Sequence, residues 1–339
     1  MPDRLRLGLI GVGPVAERYH LKAIRAVPEV FPAAVVDINE QRVREFAARQ
    51  GFPFCTTRLQ DLFGKVNLAI VALPNGAHAS VSCELLSNGI HVLCEKPMAR
   101  DVSECRSMID ASRRGGAQLC IGHNRRFRNN VSLAKRLMKK GIVGEVVRIE
   151  AEEGSTADWP RSPAYFDPAR AGGGALIDVG IHSIDLIRWL VGEFGELDYR
   201  GNGTSAMVES DAELHFRMAN GAEGSLLASR ARNLQQHIRI TGSEGYLDIG
   251  LWSDQLRIRN NKGKAFQQLP YIDGYVSRRP PQDASFVLQL TNLVNAIRGT
   301  EKILVDGHEG MAAVEVVTGA YGHGAALAAS PATVSGGVR

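Results

Sequence analysis

Three side chains of this chain can do chemistry together if the fold brings them within reach: Lys96, Asp178 and His182. Lys96 stands in "LCEKPMAR", directly after the apolar run Ile90-His91-Val92-Leu93. An ammonium at the exposed end of a buried strand can donate to a substrate oxygen and stabilise alkoxide character as it develops. Pro97 narrows the conformations of the exit that carries it. Asp178 and His182 are four apart in "GGGALIDVGIHSIDLIRWL", with Asp185 three further. That spacing predicts one polar helix face, while Ile181, Ile184, Ile187 and Leu190 occupy others. An imidazole that titrates near neutrality can accept a hydroxyl proton, and a carboxylate one turn away can orient it or raise its basicity. Asp185 reads as a partner for Arg188 or as helix surface. Asp and His at this spacing can also ligate a metal, but a cation in the same site argues against one, so no metal is expected.

A second set of residues concerns a nucleotide. Gly11-Val12-Gly13-Pro14-Val15-Ala16 follows the first apolar run and opens a helical segment, the context in which such glycines serve a dinucleotide. Gly11 makes the tight turn and Gly13 lets a pyrophosphate approach the backbone. Pro14 is tolerated in a helix's first turn, and Val15 continues it toward the phosphates. The second run, "AAVVD", ends in Asp37, which lies 21 residues after Ala16 and can accept both ribose hydroxyls. A carboxylate there would repel a 2′-phosphate by about 1 to 4 kcal/mol, so NAD is expected over NADP. Arg42 is either a helix-surface charge, a stacker on adenine, or a phosphate partner. Leu73-Pro74-Asn75 ends another strand and His78 follows in a helix; Asn75 and His78 are candidates for ribose or nicotinamide. Asn124 and Arg125, in "NRRF", are candidates for nicotinamide or substrate, with Arg126 and Phe127 packing at the domain junction.

The elements that must hold these groups change character along the chain. Residues 1–123 alternate apolar runs ("LGLIG", "AAVVD", "NLAIVAL", "IHVLCE", "QLCIG") with helix-length spacers, which predicts a Rossmann-type doubly wound parallel sheet. Residues 124–339 are expected to form an α+β substrate and oligomerisation domain with a large, mainly antiparallel open sheet. "DAELHFRM" alternates strictly, with Ala212, Leu214, Phe216 and Met218 on the covered face. Ile238, Ile240, Leu247 and Ile249 are expected near an open face that serves a homodimer or homotetramer.

Composition excludes several classes. The chain has 339 residues and a net charge of +4, from 40 basic and 36 acidic residues that are interleaved, so no nucleic-acid partner is expected. Its five cysteines, without a C-x-x-C pair, predict reduced and mostly buried thiols. No long apolar run suggests a membrane partner, and a cytoplasmic location is expected.

The order "GLIGVGPVAERYH", "VVDIN", "VALPNGAHA", "HVLCEKPMA", "NRRF" and "GGGALIDVGIHSIDLIRWLVG" resembles the Gfo/Idh/MocA oxidoreductases over nearly the whole chain. The resemblance implies a catalytic Lys96, a place for Glu95 near the cofactor, and subunit pairing through the C-terminal sheet. It implies hydride transfer between NAD and a secondary alcohol or ketone carbon of a sugar, cyclitol or nucleotide sugar. In that reading Lys96 steadies the oxygen, His182 moves the proton and Asp178 sets the state of His182, with Lys96 as the alternative acid/base. Trp159, Arg161, Tyr165 and Asp167, in the loop before the catalytic helix, could frame a polyol. Two rivals are a glycoside-cleaving or epimerising enzyme that recycles NAD internally, and a non-catalytic NAD-binding regulator.

Overall fold

The computed structural model describes residues 4–156, 165–204, 207–260, 265–266 and 281–329. The first sheet contains β1 (Leu5–Ile10), β2 (Val30–Val36), β3 (Phe54–Thr56), β4 (Leu68–Val71), β5 (His91–Cys94) and β6 (Leu119–Ile121). Their order is β3-β2-β1-β4-β5-β6, and every pair is parallel. The strands are apolar at successive positions because both faces are covered. Leu68 and Ile70 point into one core while Ala69 and Val71 point into the other; Leu93 and its neighbours Val92 and Cys94 split the same way. Helices α1 (Leu21–Ala26), α2 (Glu40–Gln50), α3 (Asn75–Ser87) and α4 (Val102–Gly115) make the crossovers. In α2, Asn39 caps the first turn by accepting from the Arg42 N–H, and Gly51 ends the helix in the left-handed region. The strand order reverses between β1 and β4, which is where such a sheet opens a ligand crevice at its carboxyl edge.

Helix α5 (Asn129–Lys139) leads into β7 (Val146–Gly154) of the second sheet, followed by α6 (Pro168–Ala171) and α7 (Ile181–Val191). Then come β8 (Phe194–Gly201), β9 (Asp211–Met218), β10 (Glu223–Ser229), β11 (His237–Gly242), β12 (Gly245–Gly250), β13 (Leu256–Asn260) and the short β14 (Ala265–Phe266). Their order is β14-β13-β12-β11-β7-β10-β9-β8, antiparallel throughout except for β10 beside β7. Ala212, Leu214, Phe216 and Met218 are buried as the alternation requires, with His215 and Arg217 exposed.

One expectation fails here. Ile238, Ile240, Leu247 and Ile249 are each fully buried in the same core as Leu186 and Ile187 of α7. They face inward because β11 and β12 alternate with the same period as β9, so these four cannot form a dimer face.

The chain then returns to the first sheet. Helix α8 (Pro281–Ile297) places Phe286, Leu290, Leu293 and Val294 in one core with Leu7, Leu9 and Ile70. Helix α9 (Gly307–Ala329) packs across α4, α7 and β8. Residues from the C-terminal third therefore complete the nucleotide-type sheet.

The two halves are tied by a buried ion network. Arg126 is 1% exposed and donates through Nε and Nη2 to both Asp185 oxygens (2.6 to 3.1 Å) and through Nη2 to Glu309 (2.8 Å). Glu309 also accepts from Arg188 at 2.7 Å. Asp185 is thus the partner of Arg126 and not of Arg188, because it lies on the buried side of α7. Arg126 does pack at the junction. Of the cysteines, Cys94, Cys105 and Cys120 are buried, and all five are free thiols. No described helix is long and apolar enough to cross a membrane.

Candidate active site

The crevice begins at the turn after β1. Gly11 has φ +91°, and a Cβ there would lie 2.4 Å from the Ala72 carbonyl oxygen and 2.9 Å from the Leu73 side chain, so only glycine closes β1 against β4. Gly13 differs, since a Cβ would meet nothing within 4 Å. Nothing inside the chain demands glycine at that point, and the space lies outside the turn, before the helical residues Pro14 and Val15. Asp37, at the carboxyl end of β2, accepts from the Val12 N–H (3.1 Å), the Asn39 N–H (3.0 Å) and Arg42 Nη2 (2.9 Å). It fixes the glycine turn while keeping lone pairs for a further donor. Arg42 is therefore an exposed partner of Asp37. These features fit a dinucleotide: open backbone at Gly13, a helix N-terminus, and a carboxylate 8% exposed at the second strand.

Beyond that turn the chain makes one π-helical turn, Ala16–His20, before α1. It brings the buried His20 Nε2 to 2.7 Å from Glu95 Oε1, while Glu95 Oε2 accepts from the Lys96 N–H at 3.2 Å. Burial pushes the Glu95 carboxyl up, but the hydrogen bond and charge of His20, with Lys96 beside it, outweigh burial and hold it below the usual range. Glu95 thus braces the residue that follows it.

Lys96 leaves the carboxyl end of β5 and reaches the second domain. Its Nζ donates to the Asp178 carbonyl (2.6 Å) and Oδ1 (3.3 Å). Asp178 Oδ2 accepts from Arg230 Nε (3.0 Å), which stands just past the end of β10. A π-helical turn, Leu176–Gly180, precedes α7 and carries Asp178 toward Lys96. The turn is anchored at Gly174, where a Cβ would lie 2.0 Å from the Glu209 carbonyl oxygen. Lys96 is only 17% exposed, so the ammonium is held in a largely dry cluster.

His182 enters the same cluster beside Lys96 and Arg125. Its Nδ1 is buried and has no hydrogen-bond partner, and burial first, then the nearby cations Arg125 and Lys96, press the imidazole well below its ordinary value. The expectation is that Asp178 orients His182; the bonds seen on the Asp178 carboxylate run to Lys96 and Arg230. The π-turn shifts Asp178 around the helix relative to the i, i+4 geometry. His123, fully buried, faces His182 edge-on at 6.3 Å between ring centroids, with neither of its nitrogens bonded.

Other candidates are placed as follows. His78 is 1% exposed and both its ring nitrogens meet carbonyl oxygens at 2.8 Å, those of Pro97 and Leu73. It braces the Lys96–Pro97 segment against the end of β4. Asn75 donates to the Ala171 carbonyl (2.9 Å), linking α3 to α6. Asn124 donates to Ser285 Oγ (2.9 Å), toward α8. Arg125 makes a two-pronged ion pair with the buried Glu153, which also accepts from Ser183, and lies 5.6 Å from the Trp252 ring. Tyr165 lies 5.6 Å over the Arg230 guanidinium, and Asp167 caps α6 by accepting from the Ala169 N–H. Trp159 and Arg161 lie outside the described residues.

Two family profiles match the chain: residues 5–123 match the oxidoreductase family with an NAD-binding Rossmann fold, and residues 131–248 match the Gfo/Idh/MocA C-terminal domain. The chain belongs to the Gfo/Idh/MocA oxidoreductases. It is 31% identical over 286 residues to levoglucosan dehydrogenase of Pseudarthrobacter phenanthrenivorans, covering 72% of this chain and 73% of that protein. It is 23% identical over 330 residues to myo-inositol 2-dehydrogenase of Thermotoga maritima, covering 91% and 93%. A solved levoglucosan dehydrogenase in complex with NADH shares the fold, with a TM-score of 0.85 at 24% identity over 96% of this chain and 98% of that one.

For this Gfo/Idh/MocA member, sequence reasoning missed Arg230, His20, Glu153 and His123. Arg230 carries a signal in retrospect, a charge directly after the apolar "SLLAS" of a strand end. The others depend on contacts between distant segments that no local pattern announces. With His182 as the expected proton acceptor, its lowered titration has a measurable consequence. A group depressed below 6.5 stays neutral, and so able to accept a proton, down to pH values below 6.5. The acidic limb of kcat/KM for alcohol oxidation is expected below pH 6.5; a midpoint at or above 6.5 that vanishes in His182→Asn would contradict this placement.

Proposed function

We propose that this oxidoreductase interconverts a secondary alcohol and a ketone on a sugar, cyclitol or nucleotide-sugar substrate, with NAD preferred over NADP. The reading rests on one observation above the rest: a nearly buried lysine, held by the carboxylate of a second domain, sits at the carboxyl edge of a Rossmann sheet beside a neutral histidine. NAD, when bound, takes or supplies the hydride. Lys96 donates a hydrogen bond to the substrate oxygen and favours the alkoxide-like transition state, an interaction that gains strength in a water-poor site. His182, neutral and with Nδ1 sealed, offers Nε2 to the hydroxyl proton. Asp178, braced by Arg230, sets the position of the ammonium, and Glu95 with His20 sets that of the peptide carrying it. The names of the relatives, dehydrogenases of a sugar anhydride and of an inositol, support a polyhydroxylated substrate.

Asp37 carries the cofactor preference. Asp37→Ala removes the acceptor for the ribose and frees the Val12 N–H, so KM for NAD is expected to rise about 10- to 100-fold, with a smaller change for NADP. A wild-type enzyme that used NADP as well as NAD would refute the preference. The function is tested by mixing protein, NAD and a panel of polyols, sugars and nucleotide sugars, and following absorbance of the reduced nicotinamide together with product. NADH formed one for one with ketone supports the reading; substrate conversion without accumulating NADH overturns it.

A further inference from the structure

Arg230 has more hydrogen-bonding capacity than the cluster uses. Its side chain is 3% exposed, Nε is bonded to Asp178, Nη1 lies 3.4 Å from the Tyr165 carbonyl oxygen, and Nη2 is buried with no partner. A charged guanidinium nitrogen left bare in a dry site is costly, and native structures almost always complete it. The surrounding charges sharpen the point. Lys96 and Arg230 share the single carboxylate of Asp178, one on each oxygen. Arg125 is neutralised by Glu153, and His182 is neutral. With Glu95 also beside Lys96, the carboxylates of this cluster are already shared among its cations, so it is the bare Nη2 itself that lacks an acceptor.

We propose that Arg230 is a specificity-determining residue whose Nη2 receives a carboxylate of the substrate, so that the preferred substrates are polyhydroxy acids and not neutral polyols. This deepens the function proposed above and rests on it. Lys96 and Arg230 flank one carboxyl group, so a ligand that bridges them carries its carboxylate within a few bonded carbons of the reacting hydroxyl. The reaction keeps its balance: the C–H bond yields a hydride to NAD, the O–H proton passes to His182, the carbon becomes a ketone, and the carboxylate is unchanged. Planar guanidinium geometry also selects carboxylate over a lone hydroxyl. Tyr165, over the guanidinium face, is placed to shield the pair from water.

The test uses the full-length protein loaded with NADH. Calorimetry compares D-gluconate, D-galactonate and D-glucuronate with D-glucose, D-galactose and myo-inositol, and NAD reduction is followed on the same panel. At least one acid is expected to bind tenfold or more tighter than its neutral counterpart. Arg230→Gln is expected to lower the acid-to-neutral ratio of kcat/KM by about 10- to 100-fold, the worth of one charge-assisted hydrogen bond. Arg230→Lys retains a preference for acids, which guards against a variant that merely fails to fold. The ratio separates this role from a general one in holding Asp178, which would depress both substrate classes alike. Tighter binding of neutral polyols, no binding of any acid, or an unchanged ratio in Arg230→Gln overturns the proposal while leaving the dehydrogenase reading intact. Failure of the wild type to bind NADH overturns the dehydrogenase reading itself.

Discussion

Lys96→Met is expected to lower kcat by about 1000-fold or more while leaving NADH affinity within a few-fold of wild type. The estimate combines the loss of a preorganised donor to the developing oxyanion, worth about 100- to 1000-fold, with any share Lys96 has in proton transfer. Methionine keeps the length and the apolar stem of the side chain, so the packing at the end of β5 survives. The substitution also takes the ammonium away from Asp178, which keeps its bond to Arg230. Pre-steady-state mixing with NAD and substrate reads the chemical step, and fluorescence titration with NADH reads binding. Loss of both in parallel would show that Lys96 holds the cofactor and not the reacting oxygen. Loss of kcat alone matches the geometry, in which Nζ reaches across to Asp178 of the second domain.

The second large effect concerns stability. Arg126 and Asp185 are each 1% exposed, and the guanidinium also serves Glu309 and lies 5.4 Å from the Trp189 ring. Removing one member of such a pair leaves a charge in a place water cannot reach, so Asp185→Asn is expected to cost about 3 to 5 kcal/mol. Replacing both, as Arg126→Met with Asp185→Leu, is expected to cost less than either single change, because the desolvation penalty leaves with the charges. Urea denaturation followed by circular dichroism measures all three. A single-variant cost below about 1 kcal/mol would show that water reaches the pair in solution.

Much of this was legible before any coordinates. The parallel sheet was readable because strands covered on both faces are apolar at successive positions, and the second sheet because "DAELHFRM" alternates. Lys96 bonds Asp178, and His182 lies near Lys96. What escaped was pairing. The i, i+4 spacing of Asp178 and His182 assumes an α-helix, and one π-helical turn was enough to hand Asp178 to Lys96 and Arg230. Asn75 and His78 occupy a strand end that usually meets ligand, and the contacts Asn75 makes to α6 and His78 to the Lys96–Pro97 segment could not be read from local sequence. The isoleucines of β11 misled because an open sheet has two faces, and sequence parity alone does not say which one the helices cover.

A crystal structure of the protein with NADH would show how the dinucleotide lies in the crevice. The adenosine ribose is expected to be hydrogen-bonded to the Asp37 carboxylate, the pyrophosphate to lie over Gly13, and the nicotinamide ring to lie between the ends of β4 and β5, with its C4 facing the space that Lys96 and His182 border. A dinucleotide bound elsewhere, or a nicotinamide turned away from Lys96, would contradict this placement.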